Sequence, residues 1–273
     1  MRHDMRSAVK LVVPFVTAAS VFFSHAAAEA SAWDEIRGSV YGAKTIADGR
    51  GIAKLTAPYR PEDMRKVPIG VTAAFKDGRT VKTVTVLIDE NPTPVVAVFH
   101  IGAGRDSVAI ASNFRVDRQS DVPAVVEASD GQLYMVSQLV KFAGGQASCS
   151  APPQGNPAEI AANMGKMQMA QLPADGVASP ILGHAELDIS HPNHTGMVMD
   201  QQTLLYTPIK MVSEITVKHG HDLVFRTEGS IALSQDPSIV FDFQRRNVQD
   251  LTVTMKDTDG ARWVRTFPIG PQS

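Results

Sequence analysis

The sequence predicts an all-β protein of two β-sandwich domains, with a short N-terminal helix and a linker helix. Three observations lead there. Short β-rich runs recur at regular spacing with polar turns between them. A stretch rich in Gly, Pro and Ser divides two such sets of runs. The composition, 44% hydrophobic and 20% charged over 273 residues, is that of a globular chain, too apolar for disorder and too polar for a bundle of membrane helices.

The first residues read as an address. Arg2, Arg6 and Lys10 precede an apolar run from Leu11 to Phe23, and small residues follow at Ala26-Ala27-Ala28 and Ala30-Ser31-Ala32. This is the three-part pattern of a secretory signal peptide, expected to be residues 1–28. The run is shorter than a spanning helix needs, and no later segment is long or apolar enough, so no membrane span is expected after cleavage. Removing 1–28 leaves 23 Lys+Arg against 27 Asp+Glu, a net charge of −4. Neither that balance nor the full chain's −2 has the basic footprint of nucleic-acid binding. A periplasmic location follows as an expectation.

The mature chain opens on Trp33-Asp34-Glu35-Ile36-Arg37, a short helix whose acidic residues suit the positive end of its dipole. Strands are then expected at Val67 to Phe75, Val81 to Ile88, Val95 to Ile101, Ser107 to Val116, Ala124 to Glu127 and Leu133 to Phe142. Their turns are Lys76-Asp77-Gly78-Arg79, Glu90-Asn91-Pro92, Gly102-Ala103-Gly104 and Ser129-Asp130-Gly131. This first domain is expected over 33–145. From Ala143 to Pro157 the apolar period disappears, and the segment reads as flexible or polyproline-like. A helix over Asn156 to Leu172 follows, with Pro157 in its first turn and Met164, Met167 and Met169 along it. The cysteine-containing linker and this helix occupy 146–178. A second sandwich, 179–270, takes strands at Ala185 to Ile189, Ile215 to Lys218, Asp222 to Arg226, Ile239 to Phe243, Leu251 to Met255 and Trp263 to Phe267. Asp257-Thr258-Asp259-Gly260 has hairpin-turn chemistry.

Cys149 is the sharpest candidate for chemistry. As the lone cysteine of an exported chain it has no internal partner, so it is buried, paired with another chain, or used. Its surroundings, Gly144-Gly145-Gln146-Ala147-Ser148-Cys149-Ser150, are small and carry no strand or amphipathic pattern. A buried structural cysteine normally sits in an apolar periodic segment, so an accessible, movable thiol is expected, with Gly144 and Gly145 giving the arm its freedom. Lys141, eight residues upstream, is a cation that would favour the thiolate. His191 and His194, with Met197 and Met199, offer imidazole and thioether groups of a kind that suits copper, and His219 and His221 form a second pair. Two imidazoles in a turn supply too few ligands for a closed site, so no metal and no cofactor are expected. No Gly-x-Ser-x-Gly elbow, His-Glu-x-x-His or phosphate-cradling loop occurs, and no catalytic residue is assigned.

Trp33-x-x-Ile36-Arg37, Ala57-Pro58-Tyr59-Arg60-Pro61-Glu62-Asp63 and Val67-Pro68-Ile69 resemble SoxY, one half of the SoxYZ sulfur carrier of thiosulfate oxidation. Gly144-Gly145 through Cys149 stands where that family carries its mobile Gly-Gly-Cys-Gly-Gly end. Downstream, His191-Pro192-x-x-Thr195-Gly196, Pro208-Ile209 and Asp257-x-x-Gly260 resemble SoxZ. The chain thus resembles a SoxY-SoxZ fusion of the type associated with quinoprotein (PQQ-dependent) alcohol dehydrogenases. The resemblance implies two immunoglobulin-like β-sandwich domains and a carrier rather than an enzyme, with Cys149 conjugated to a sulfur intermediate and presented to partner enzymes. Those partners would be periplasmic sulfur-oxidation enzymes or a quinoprotein dehydrogenase and cytochrome system. The sequence departs from the family in placing Ser148 and Ser150 beside the cysteine and a whole domain after it, so the arm is tethered at both ends. The alternative function is a non-covalent accessory module of the dehydrogenase system; a His/Met copper shuttle is a third.

Overall fold

The computed structural model describes residues 32–142, 144, 147–173, 181–245 and 250–270. The signal-peptide residues 1–28 and Gly145 lie outside them. Helix α1 (Ala32–Tyr41) lays Trp33, Ile36 and Tyr41 on a small cluster of Leu87, Val125 and Leu133. The first half then supplies β1 (Ile46–Asp48), β2 (Ala53–Thr56), β3 (Val67–Ala74), β4 (Val81–Leu87), β5 (Val95–Ile101), β6 (Ser107–Phe114), β7 (Ser120–Ala128) and β8 (Leu133–Val140). A 3-10 turn at Ser148–Ser150 and helix α2 (Pro157–Asn163) lead into β9 (Met167–Leu172). The second half completes the fold with β10 (Leu182–Ile189), β11 (Val212–His219), β12 (Asp222–Gly229), β13 (Ser238–Gln244), β14 (Asp250–Asp257) and β15 (Arg262–Pro268).

The protein is all-β, as its sequence predicts. Alternation explains several strands: in β3, β6, β10 and β14 every second residue is buried, the pattern of a sheet packed on one face. The sandwich layers are a nine-stranded sheet, β1-β8-β7-β4-β5-β12-β11-β14-β15, and a six-stranded sheet, β2-β3-β6-β13-β10-β9. Both sheets run through both halves. In the larger, β5 pairs with β12, Phe99 opposite Thr227 and Ile101 opposite Phe225. In the smaller, β6 pairs with β13, Ile110 opposite Phe241. Each half is a two-layer sandwich, and the two are continuous edge to edge. Their cores form one cluster, bridged by Phe99, Phe225 and Phe241, with ring centroids 6.0 and 5.1 Å apart in edge-on geometry. Gly102 marks how closely the halves approach: a Cβ there would lie 1.8 Å from the carbonyl oxygen of Leu223.

Three expectations about elements are corrected. The helix over 156–172 is only α2; Asn156 caps it by accepting from the Ala158 N–H, and Gly165, at φ +81°, ends it. Met167 to Leu172 instead pairs antiparallel with β10, because its methionines recur every second residue and Met167 is buried in the core. Strand β7 begins at Ser120 rather than Ala124. Pro123 fits within it because pairing with β4 stops at Ala124, leaving no ladder bond for the missing N–H to break on that side. Strands β1 and β2, of three and four residues, were too short to carry a readable period.

Candidate functional site

Cys149 lies at the middle of the 3-10 turn and is wholly buried, as is Ser148 beside it. The accessible thiol expected from the sequence is therefore not what this conformation holds. The small neighbours that suggested mobility are also what lets the turn sink into the protein: Ala147, Ser148, Ser150 and Ala151 have little bulk to keep it out. Its backbone polar groups would be costly to bury unpaired, and both find partners. The Cys149 N–H donates to Asp117 Oδ1 at 2.8 Å, and its carbonyl accepts from Thr195 Oγ1 at 2.6 Å.

Those two partners come from opposite halves. Asp117 follows the end of β6 and is fixed by Asn91, whose Oδ1 accepts from the Asp117 N–H at 2.9 Å while its Nδ2 donates to the Arg115 carbonyl at 2.8 Å. Arg115, also buried, donates to the carbonyls of Ile231 and Leu233 in the second half. Thr195 arrives on the segment between β10 and β11. The Asn193 side chain holds that segment in place, donating to the Ser234 carbonyl at 2.6 Å and accepting from the Val212 N–H at 2.8 Å. The His191-Pro192-x-x-Thr195-Gly196 motif is thus a scaffold that delivers a hydroxyl to the cysteine.

The electrostatics oppose ionisation of the thiol. Burial, reinforced by the Asp117 carboxylate and only partly offset by the Arg115 guanidinium, pushes Cys149 from 9.0 up to about 12. Seated this way the sulfur is a thiol, not the nucleophilic thiolate. Burial also lowers Arg115.

The remaining sequence candidates disperse. Gly144 is exposed at φ +93°, a backbone state that favours glycine. Lys141 places its ammonium 5.3 Å from the Tyr59 ring, and the cation that acts on Cys149 is Arg115. The two histidines of the turn part company. His191 is buried against Trp263 with Nδ1 accepting from the Asn193 N–H at 3.1 Å, and its Nε2 stops 3.7 Å from Asp257. Burial holds both His191 and His194 below the usual imidazole value. His194 lines a cleft of about 870 Å³ with Ser150, Met164, Met197, Met199 and Tyr206. His219 packs on Phe243, and it lines with His221 a second cavity of about 350 Å³. Among the described residues no three His, Cys, Asp or Glu side chains gather as a metal site.

Sequence reasoning missed Asp117 and Arg115 altogether, took Asn91 only as a turn residue and took Thr195 only as a motif position. The signal for the first two was present: charges at 115 and 117 flank Val116 immediately after an apolar strand, which places both on the same side if the extended chain continues.

Among solved structures, the chain is similar to that titled "Structure of the sulfur carrier protein SoxY from Chlorobium limicola f thiosulfatophilum". It is 22% identical to it, with 41% of this chain and 96% of that one covered and a TM-score of 0.33. No curated protein matches. Two family models match, "Sulfur oxidation protein SoxY" over residues 37–146 and "Sulphur oxidation protein SoxZ" over 181–268. Cys149 falls just beyond the first match, and the two matched ranges are the two halves joined along β5–β12 and β6–β13. The chain belongs to the SoxYZ family, with a SoxY domain and a SoxZ domain fused in that order.

Proposed function

We propose that this protein is a periplasmic sulfur carrier that binds a sulfur intermediate covalently on Cys149 and presents it to partner enzymes. The observation that carries this reading is the position of its one cysteine, at the end of the SoxY domain and held by groups from both domains. Joining the thiol to a sulfane sulfur forms a disulfide. That releases the thiol proton and two electrons, which a partner enzyme or cytochrome must accept. The protein's own contribution is carriage: no other side chain is assigned a bond-making role, and the fold supplies a place to store the empty thiol. Because the seated thiol is buried and resists ionisation, reaction requires the turn at Ser148–Ser150 to leave its seat.

The burial of Cys149 favours a second reading, a non-covalent accessory module of a quinoprotein dehydrogenase system in which the thiol is structural. Intact-mass measurement of protein from its native periplasm, before and after a reductant, separates the two. The carrier reading expects a reducible mass increment on Cys149. It also expects alkylation of the native protein by local opening, at a rate nearly independent of low denaturant. No increment, with alkylation that tracks global unfolding, would establish the accessory reading. In the host, Cys149→Ser should abolish thiosulfate-dependent oxidation if the thiol carries cargo.

A further inference from the structure

We propose that Asp117 and Thr195 form a two-sided latch that seats Cys149 only while its sulfur bears nothing but a proton, so that loading the carrier ejects the arm. The inference rests on the carrier reading and adds to it a link between cargo and conformation.

The latch is a pair of backbone bonds. Asp117 accepts the Cys149 N–H at 2.8 Å from the SoxY side, and Thr195 donates to its carbonyl at 2.6 Å from the SoxZ side. Both clamp residues are buried and are themselves braced, Asp117 by Asn91 and Thr195 by accepting the Met197 N–H at 3.1 Å. The bonds hold the backbone, and Asp117 also pairs with the thiol, so what the sulfur bears is tested by that contact and by the space around it. That space is closed to solvent: Cys149 and Ser148 are both wholly buried, whereas the open cleft begins only at Ser150. Packed interiors resist even one added methylene. A sulfane sulfonate adds two sulfurs' worth of bulk and three oxygens, far beyond that tolerance.

Charge acts in the same direction. An anionic adduct would sit beside the Asp117 carboxylate, which already opposes negative charge on the sulfur. Arg115 is the one cation acting on Cys149, and its Nη1 is engaged by the Ile231 and Leu233 carbonyls. An empty carrier therefore shelters its thiol from stray oxidation, and a loaded one offers its cargo.

Hydrogen exchange on chemically loaded protein tests the latch without reference to any native cargo. The unmodified protein is compared with protein carrying a methylthio or an S-sulfonate group on Cys149, and with Cys149→Met, which adds bulk without a labelling step. The Cys149 and Ala151 amides should lose at least tenfold of their protection in all three altered forms, while amides of β11 and β13 keep theirs. Thr195→Val should open the unmodified seat by a similar factor, and Thr195→Ser should restore it. Unchanged protection of Cys149 on loading would overturn the latch even if the native mass shows an adduct. Absence of the native adduct would overturn the carrier reading whatever the exchange shows.

Discussion

The Thr195 hydroxyl, carried by the C-terminal half of the chain, donates to the backbone carbonyl of Cys149, carried by the arm that leaves the N-terminal half. A cysteine with no disulfide partner is thereby tied to both domains of the fusion through its backbone, since Asp117 holds the same residue from the other side. Each tie can be removed by substitution, which makes the seat open to measurement.

The seat should be pH-sensitive on the alkaline side. Burial and Asp117 raise the Cys149 thiol from 9.0 to about 12. A group with a raised value in the folded state contributes stability that is complete below the unfolded value and fades as pH rises. Seating is therefore fully favourable below about pH 9 and is lost progressively between 9 and 12. Ultraviolet thiolate absorbance, with Cys149→Ala as the baseline, should titrate well above 9; a midpoint at or below 9 would show that the thiol is not seated in solution.

On the acid side the burial of His191 and His194 sets the sign. Both are held below the ordinary imidazole value, so the unfolded chain binds protons that the folded chain does not, and stability falls as pH drops below about 6.5. His191→Asn should flatten the decline of the urea midpoint between pH 7 and pH 5, at some cost in stability at pH 7. An unaltered slope would mean that folding leaves the titration of His191 unchanged, and a steeper one that His191 is protonated in the fold and paired with Asp257.

Gly165 is the position where a single methyl group should do most harm. Its φ of +81° disfavours any side chain, and a Cβ would lie 2.0 Å from Trp263 Nε1. Gly165→Ala should destabilise by about 3 kcal/mol or more, through overpacking and backbone strain together. Equilibrium urea unfolding reads this, and a loss under about 1 kcal/mol would show that the α2–β9 corner rearranges freely.

Cutting the chain between the domains should not separate them. With a protease site placed within 174–180, the two fragments should co-elute on gel filtration, because strand ladders in both sheets and the shared aromatic cluster cross the seam. Phe225→Ala should cost about 3–5 kcal/mol and lower the unfolding of both halves in a single transition. Two independent elution peaks, or two separated transitions, would show that the halves are autonomous.

Much of the fold was legible because its determinants are local. The β-branched alternation of β4 and β6, the Asp-Gly turns and the Gly/Pro/Ser break each lie within a dozen residues. The site was legible in one residue. Cys149 stood out by being alone, but Asp117 is 32 positions away and Thr195 is 46, separations over which no periodic signal survives. The same small residues that suggested a free arm allow the arm to bury.

The all-β class, the division into a SoxY and a SoxZ half, and the singling out of Cys149 come from the chain read in order. Side-chain periodicity, turn chemistry and cysteine count are properties of the chain read in order. That the halves merge through both sheets, that residues 167–172 are a strand, and that the thiol is seated and un-ionised emerge only in the folded molecule. Each of those depends on what the folded chain brings alongside. An edge strand needs a partner, a helix must end where Trp263 leaves room only for glycine, and a thiol ionises or not according to the water and charge around it.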